Sequence, residues 1–301
     1  MDSLPTDDPA EEEPVIAAVE SWYAGTTLPN VIYAQRHRLA HPRTEAPVVL
    51  IHGGGLTGAS FESDLGAGSH WQNDLLRAGF STVNLDWGGA GRAAIRPAPG
   101  SDAPEARIRT EAELWSIFRI GPAAEHRRRA AYPGSRFPVA RLDRLLAQAV
   151  PRYDTDASKL GALLTEALHA IDSVVLLSHS AGSQVAFEAA ARIPAKVAGH
   201  VLVEPTVPSR LKEEELARLA RMPHLFLWGD NVEEDGDGHW ARLFRASRAC
   251  AERLANAGAD VTWIHLPERG VRGNSHMLML DDNAGQIADA IISWLRHVIT
   301  A

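Results

Sequence analysis

The chain has 301 residues, of which 45% are hydrophobic and 23% charged, a composition typical of a globular protein with one large or two medium cores. No stretch approaches 18 consecutive apolar residues, which excludes a membrane-spanning helix. The single cysteine, Cys250, excludes an intrachain disulfide and a cysteine-based zinc site.

Residues 1–17 are predicted to form an acidic, disordered leader, followed by a folded domain over 18–301. Residues 1–13 hold six of the 38 acidic residues and no Lys or Arg, so the remaining chain is close to neutral despite the net charge of −8. This balance predicts no nucleic-acid partner. The leader lacks the basic-then-apolar pattern of a secretion signal, and a cytoplasmic location is expected.

Beyond the leader, apolar runs alternate with amphipathic segments. Strands are predicted at Val31–Arg38, Pro47–Ile51, Ser81–Leu85, Ser173–Leu177, His200–Val203, His224–Trp228 and Val261–Leu266. Helices are predicted at His70–Arg77, Ala157–Ala170, Gly182–Arg192, Leu211–Arg221, His239–Ala257 and Asn283–Val298, with Asp156, Ser209 and Asp282 as N-caps of three of them. The alternation predicts an α/β fold with a mostly parallel central sheet flanked by helices.

One connection is too long for a single crossover helix. More than eighty residues separate Leu85 from Ser173. We interpret 91–155 as a helical cap or lid over one edge of the sheet, with a Pro- and Gly-bearing loop at 92–100 and helices near Glu111–Ile120 and Ala140–Val150. Its aromatic residues are expected to form a packing core of the insertion itself.

The segment that runs from a strand through Ser180 into a helix carries the strongest chemical signal. Ser178 and Gly182 are the small residues two before and two after Ser180, which allow a tight turn that projects the serine hydroxyl above the sheet. The pattern is S-x-S-x-G rather than G-x-S-x-G. An ordinary turn with Ser180 as a helix N-cap is the alternative.

A glycine-rich loop, His52-Gly53-Gly54-Gly55, directly follows another predicted strand. Its backbone N–H groups can converge on a developing oxyanion. We place one donor on Gly54, with Gly55 as the fallback. The second donor is the N–H of Ala181, at the positive end of the helix after Ser180.

The same glycines also fit a dinucleotide-binding pattern. Gly53, Gly55 and Gly58 match G-x-G-x-x-G, and Asp86 ends the next strand. That motif needs a helix that opens within the glycines, whereas here more glycines follow before a helix is credible. The sequence therefore predicts neither a nucleotide cofactor nor a metal.

The general base is predicted to be His276, in a Gly-bearing loop between the last strand and the last helix. A histidine in this loop can reach over the sheet edge to Ser180. His179 adjoins Ser180 but is expected to point to the other side of the turn, and His52 is expected to brace the glycine loop. The acid is either Glu204 or Asp230, each at the end of a strand, and spacing alone leaves both open.

These residues resemble the α/β-hydrolase superfamily and, more narrowly, a small group of bacterial esterases whose acid is a Glu after the strand that follows the nucleophile. The matching stretches are His52-Gly53-Gly54-Gly55-Leu56-Thr57-Gly58, Ser178-His179-Ser180, Val203-Glu204-Pro205, Trp228-Gly229-Asp230 and Gly273-Asn274-Ser275-His276-Met277. The resemblance implies Glu204 as the acid. Two departures from the group's pattern bear on the substrate: Ser178 stands where Gly is usual, and Trp87-Gly88-Gly89 follows a strand where a polar residue with Gly-Arg-Gly-Ser is commoner.

The leading hypothesis is a cofactor-independent serine hydrolase of a small carboxylic ester or lactone, with catalytic residues Ser180, His276 and Glu204. The same groups can serve a C–C hydrolase, an acyltransferase or a cyclase. A non-catalytic ligand-binding protein and an NAD(P)-binding oxidoreductase are the remaining alternatives. No membrane partner is expected, and a homo-oligomer is left open.

Overall fold

The computed structural model describes residues 13–25, 31–65, 70–93, 100, 102, 105–233 and 238–299. The strands of this part of the chain are β1 (Ile16–Ala24), β2 (Ile32–Leu39), β3 (Val48–Ile51), β4 (Thr82–Asp86), β5 (Ala106–Arg107), β6 (Arg152–Tyr153), β7 (Val174–His179), β8 (Val197–Val203), β9 (His224–Trp228) and β10 (Val261–His265). The α-helices are α1 (Ala59–Glu62), α2 (Trp71–Arg77), α3 (Glu111–Ile117), α4 (Leu142–Leu146), α5 (Ala157–Ala167), α6 (Gly182–Arg192), α7 (Glu213–Leu219), α8 (His239–Asn256) and α9 (Ala284–Val298).

Eight strands form one twisted layer in the order β1-β2-β4-β3-β7-β8-β9-β10. The six strands from β4 to β10 in this order pair in parallel. Within this eight-stranded sheet, as far as it is described, β2 runs opposite to the other seven strands, since it is antiparallel to both β1 and β4. The predicted fold class, an α/β fold with a mostly parallel sheet, is confirmed.

The central strands are buried on both faces, which explains their nearly continuous apolar sequences. In β3, Val48 and Leu50 face one core, together with α2 and α9, while Val49 and Ile51 face the opposite core, together with α5 to α8. Successive side chains of a strand point to opposite faces. The carboxyl ends of β7, β8 and β9 therefore meet at one edge of a rigid three-layer body.

The predicted strands and helices are all present, with ends that differ by three residues or fewer, except that the helix predicted near Ala140–Val150 ends four residues early, at Leu146. Asp156 caps α5 as predicted, because its carboxylate accepts the N–H groups of Ser158 and Lys159. The predictions of Ser209 and Asp282 as N-caps are wrong. The caps are Lys212 for α7 and Asn283 for α9, since both helices begin later than the apolar pattern indicated.

Strand β1 was not predicted. It lies at the edge of the sheet and is largely exposed, with Val19 and Tyr23 facing solvent, so it carries no buried apolar run to detect. Because β1 begins at Ile16, the predicted end of the leader at residue 17 is wrong by two residues. Residues 1–12, the acidic part of the leader, lie outside the described residues.

The insertion predicted at 91–155 holds α3, α4, two short 3₁₀ segments and the two-stranded ladder β5–β6, so its described part is helical apart from one short ladder. Most of the predicted loop at 92–100 lies outside the described residues. Leu114, Trp115 and Phe118 are buried in the same apolar cluster as Leu177 of β7. The aromatic side chains therefore pack into the core of the sheet and not into a separate core of the insertion.

Candidate active site

Ser180 occupies the turn between β7 and α6 with a φ of 52°, in the left-handed region that residues with a side chain rarely adopt. Its N–H donates to the carbonyl of Val203 at 3.0 Å, and its own carbonyl accepts the N–H of Thr206 at 3.1 Å. A Cβ on residue 182 would overlap the carbonyl oxygen of His52. Glycine at 182 therefore lets α6 approach the loop after β3 closely while the surrounding bonds hold the strained serine.

Ser178, which replaces the usual glycine of the turn motif, is fully buried. Its hydroxyl lies 3.1 Å from Oγ of Ser183 and 3.3 Å from the carbonyl oxygen of Val201. A buried hydroxyl with hydrogen-bond partners avoids the cost of desolvation. The departure from the motif is therefore accommodated locally and leaves the turn geometry intact.

His276 and Glu204 lie in contact at the edge of the sheet that carries Ser180. Nδ1 of His276 is 3.2 Å from Oε2 of Glu204, and His276 lines the same cavity as Ser180. When Nδ1 donates to the carboxylate, Nε2 of the neutral ring is free to accept a proton. Burial lowers the pKa of His276 to about 4, although the bond to Glu204 acts in the opposite direction. The ring is therefore a neutral base at pH 7.

Glu204 is fully buried and its carboxylate is surrounded by donors. Arg119 donates to Oε2 at 2.8 Å and to Oε1 at 2.6 Å, and the N–H of Gly229 donates to Oε1 at 2.6 Å. Burial by itself would raise the pKa of Glu204, but the charge of Arg119 and the bonds from His276 and Arg119 outweigh it and lower the pKa to about 2. Glu204 is therefore ionised at every pH where the protein is folded and His276 is neutral.

Asp230, the alternative acid, points elsewhere. Its Oδ2 accepts the N–H of Gly273 at 2.8 Å and its Oδ1 accepts the N–H of Asn231 at 2.8 Å. The carbonyl of Asp230 accepts Nε of Arg119 at 3.0 Å. The carboxylate of Asp230 thus holds the start of the loop that carries His276, whereas the carboxylate of Glu204 contacts the imidazole itself.

The loop that carries His276 is tied down by a second buried carboxylate, Asp281. Its oxygens accept the N–H of Ser275 at 2.9 Å, the hydroxyl of Ser275 at 2.6 Å and Nδ2 of Asn274 at 2.9 Å. The N–H of His276 donates to the carbonyl of Phe118 at 2.8 Å. The Asn-Ser-His sequence therefore supplies the donors that fix the backbone of the base.

Three rings surround the imidazole of His276, with centroids 4.1 Å away for Trp240, 4.5 Å for His179 and 6.1 Å for Phe118. The expectation that His179 points to the other side of the turn is wrong, because its Nε2 lies 2.9 Å from the carbonyl oxygen of His276. His179 shares the face of Leu177, two residues earlier on β7, and that face also packs against the loop of His276. His179 thus braces the base.

A cavity of about 160 Å³ opens beside Ser180 and is lined by Gly54, Ala181 and His276. In the part of the chain that the structure describes, no acceptor is bonded to the N–H of Gly54 or of Ala181. Gly55, the fallback donor, does not line the cavity, and its carbonyl instead accepts the N–H of Val150. Gly54 and Ala181 are therefore the predicted donors that border the nucleophile.

Arg119 was not singled out from the sequence. It is fully buried and has a φ of 51°, yet it lies in the insertion, which has no recognisable motif. The one available signal was a charged residue inside the apolar run Leu114–Ile120. Such a charge is stable in a core only beside a counter-ion, and sequence alone did not identify Glu204, 85 residues away, as that counter-ion.

The dinucleotide alternative finds little support in the loop after β3. The carboxylate of Asp86 accepts the N–H of Gly58 at 2.8 Å and both the N–H and Nε of Arg92 at 2.8 and 2.7 Å. It is thus committed within the protein, and the helix that follows the glycines, α1, has four residues. Among the described residues, no group of three or more His, Cys, Asp or Glu side chains could hold a metal ion.

The sequence of this chain matches a protein family and a curated protein. The profile of the alpha/beta hydrolase fold family matches residues 46–235, a span that contains Ser180 and Glu204 and ends before His276. A curated relative, the probable secreted lipase phiG of Fungal sp., is 39% identical over 46 residues, which are 15% of this chain and 13% of that protein.

Among solved structures, a novel bacterial esterase determined at atomic resolution is similar over 95% of this chain and 98% of its own, with 29% identity and a TM-score of 0.84. A predicted CIB-like hydrolase from Thermoplasma acidophilum covers 93% and 99% with 13% identity and a TM-score of 0.53. The carboxylesterase CesB of Bacillus subtilis covers 94% and 93% with 11% identity and a TM-score of 0.50. The last two share the fold.

No helix in the described ranges combines the length and the apolar character that crossing a membrane requires. The cytoplasmic location stays a prediction.

Proposed function

We propose that this chain, which belongs to the α/β-hydrolase family, hydrolyses a carboxylic ester or lactone through an acyl-enzyme on Ser180. The observation that carries the proposal is that a strained serine and a neutral buried histidine line one cavity, while a buried glutamate contacts the histidine from behind. The similarity to a bacterial esterase over 95% of the chain supports an ester as the substrate class.

The first chemical step is attack by Ser180 on the carbonyl carbon. His276 takes the serine proton on Nε2, since Nδ1 is bonded to Glu204, and the resulting imidazolium is stabilised by that carboxylate. The N–H groups of Gly54 and Ala181 would hold the oxyanion, a contribution of about 3 kcal/mol per donor. His276 then returns the proton to the leaving alkoxide.

The second step releases the acyl group. A water molecule enters the position that the alcohol has left, His276 removes its proton, and the hydroxide attacks the acyl carbon. The tetrahedral intermediate collapses with Ser180 as the leaving group, and His276 returns its proton to the serine oxygen, which regenerates both residues. Because lactones carry their alcohol on the acyl chain, the same steps open a lactone ring.

The test compares hydrolysis of p-nitrophenyl acetate by wild type and by Ser180→Ala. We expect kcat/KM to fall at least about 1000-fold, because the nucleophile is removed. Ser209→Ala is the matched control, since Ser209 is exposed and is not among the residues that line the cavity. A fluorophosphonate probe should label wild type and Ser209→Ala but not Ser180→Ala. Equal turnover by all three proteins would refute the proposal.

A further inference from the structure

Two arginines of the insertion face the cavity beside Ser180. Arg109 lies between β5 and α3, Arg152 lies on β6, and both line the catalytic cavity as well as the larger recess outside it, of about 450 Å³. Within the described ranges, neither guanidinium has a carboxylate at ion-pair distance or any hydrogen-bond partner. Arg107, close by, is by contrast paired with Glu113 at 2.9 Å.

Two unpaired cations beside one another are electrostatically unfavourable. Burial, together with the neighbouring charges of Arg152 and Arg107, lowers the pKa of Arg109. Burial also lowers the pKa values of His179 and His276, two of the three histidines that line the inner cavity, so both are neutral at pH 7. The third, His239, lines the inner cavity and the outer recess. Among the described residues, Glu113 is the one carboxylate that lines the outer recess, and it is already bound to Arg107. The described residues therefore give the cavity mouth a positive field, with no carboxylate among them left to neutralise it.

Arg152 lies directly against the proposed oxyanion donor. A Cβ built on Gly54 would be 3.0 Å from Nε and 3.1 Å from Cζ of Arg152. Glycine at this position therefore leaves room for the guanidinium as well as for the oxyanion. An anion held by Arg152 would lie within a short chain length of the carbonyl that Ser180 attacks.

We propose that Arg109 and Arg152 bind a carboxylate carried by the substrate, so that the protein prefers anionic esters, such as monoesters of short dicarboxylic acids, over neutral esters of equal size. This inference rests on the proposed ester hydrolysis. Arginine is suited to the task because its planar fork bonds both oxygens of a carboxylate and remains charged when partly buried. The site thereby gains a recognition element that is separate from Ser180, His276 and Glu204.

The experiment measures kcat/KM for mono-p-nitrophenyl glutarate and for neutral p-nitrophenyl pentanoate. We expect wild type to prefer the anionic ester at least tenfold, and Arg109→Gln and Arg152→Gln each to lower the anionic-to-neutral ratio about tenfold or more, the range of a charged hydrogen bond. The ratio cancels a general loss of activity from altered folding. Arg127→Gln, which removes one exposed positive charge of the same insertion, should leave the ratio unchanged.

Two further measurements sharpen the result. A second pair, 4-acetoxybenzoate and its neutral methyl ester, shows whether the carboxylate belongs to the acyl or to the alcohol part. Calorimetric titration of the Ser180→Ala protein with glutarate tests the anion site without turnover, and phosphate serves as the competing anion.

Any one of three results would overturn the inference. The first is an anionic-to-neutral ratio of kcat/KM near one for both ester pairs in wild type. The others are a ratio that neither arginine substitution changes and tighter binding of phosphate than of glutarate. Failure of the proposed hydrolysis is distinguishable, because then neither ester of a pair is cleaved. Glutarate binding that is lost in a Ser180→Ala, Arg152→Gln double variant would still support the carboxylate site in that case.

Discussion

The carboxylate of Glu204 is paired with a counter-ion that is buried beside it in the core. The two hydrogen bonds from Arg119 occupy both carboxylate oxygens, and the bond from His276 adds a third charged or polar contact. A buried carboxylate without such a partner would be protonated at neutral pH. A protonated acid could not stabilise the imidazolium that forms on His276, so Arg119 acts as a positioning residue for the acid.

The two candidate acids can be separated by isosteric substitution. Glu204→Gln keeps the shape but removes the charge that contacts His276, and we expect kcat to fall about 100- to 10,000-fold. Asp230→Asn should have a smaller effect, because the carboxylate of Asp230 contacts the backbone of Gly273 and not the imidazole. The measurement is kcat on p-nitrophenyl acetate with circular dichroism to verify folding. If only Asp230→Asn abolishes turnover, the assignment of Glu204 is wrong.

The influence of Arg119 can be detected in the pH profile. With the pKa of His276 lowered to about 4 by burial, kcat/KM of wild type should stay constant from pH 8 to about pH 5 and fall below it as the base is protonated. Arg119→Gln removes a positive charge that lowers the pKa values of both Glu204 and His276, so this pair should bind its first proton at a higher pH, whichever side chain takes it. The acidic limb should therefore move to higher pH.

Arg119→Lys is the matched control, since it keeps the charge but not the paired hydrogen bonds. Its acidic limb should stay closer to that of wild type than the limb of Arg119→Gln. An Arg119→Gln protein that folds and shows the wild-type profile would contradict the role given to Arg119.

At the scale of the elements, the sequence predicted those strands and turns that are buried or that have a pattern of adjacent residues. The six parallel strands were found because each is a short apolar run between helices, and the turn at Ser180 because its residues are adjacent in the sequence. Strand β1 was missed because it is exposed. Arg119, Arg109 and Arg152 were missed because an insertion contributes them through long-range contacts that leave no periodic signal. The framework of the site was therefore predictable, whereas the residues that surround it were not.

Helix α8 closes the cavity and sets its size. Trp240 packs on His276, and Leu243 lines the cavity one turn later. A cavity of about 160 Å³ is small beside the roughly 300 Å³ of the smallest typical ligand pockets. We therefore predict that kcat/KM falls at least tenfold between p-nitrophenyl butanoate and octanoate, because the longer apolar chain exceeds the cavity and would have to enter the outer recess, which is lined by Arg109 and Arg152.

Leu243→Ala should enlarge the cavity without touching the base, and so should reduce the penalty for octanoate relative to butanoate. Leu163→Ala is the control, because Leu163 is also half-buried but lies on α5, away from the cavity. Equal chain-length profiles for wild type and Leu243→Ala would argue against α8 as the limit on acyl length.

At the scale of the whole molecule, the protein buries an unusual number of histidines. His52, His179, His200, His224 and His276 are almost fully buried. Burial lowers the pKa of each below its ordinary value, to about 4 for His52, His224 and His276. All five are therefore neutral in the folded protein across the physiological pH range.

This arrangement predicts sensitivity to acid. Below the unfolded pKa of about 6.5, the unfolded chain takes up protons that the folded protein cannot bind, so stability is lost as the pH falls from 6.5 toward 4. Each buried histidine should cost about 1 kcal/mol by pH 5.5. The free energy of unfolding from urea titrations should accordingly drop by several kcal/mol between pH 7.5 and 5.5.

A single histidine outside the site tests the cause of this loss. Neither ring nitrogen of His200 has a hydrogen-bond partner among the described residues, and the ring packs against Phe187 at 5.0 Å and His224 at 5.4 Å. His200→Leu removes one titrating group, so the fall in unfolding free energy between pH 7.5 and 5.5 should shrink by about 1 kcal/mol. His41→Gln, at an exposed position, should leave that fall unchanged. A pH dependence that is identical in wild type and His200→Leu would show that buried histidines are not what makes the protein sensitive to acid.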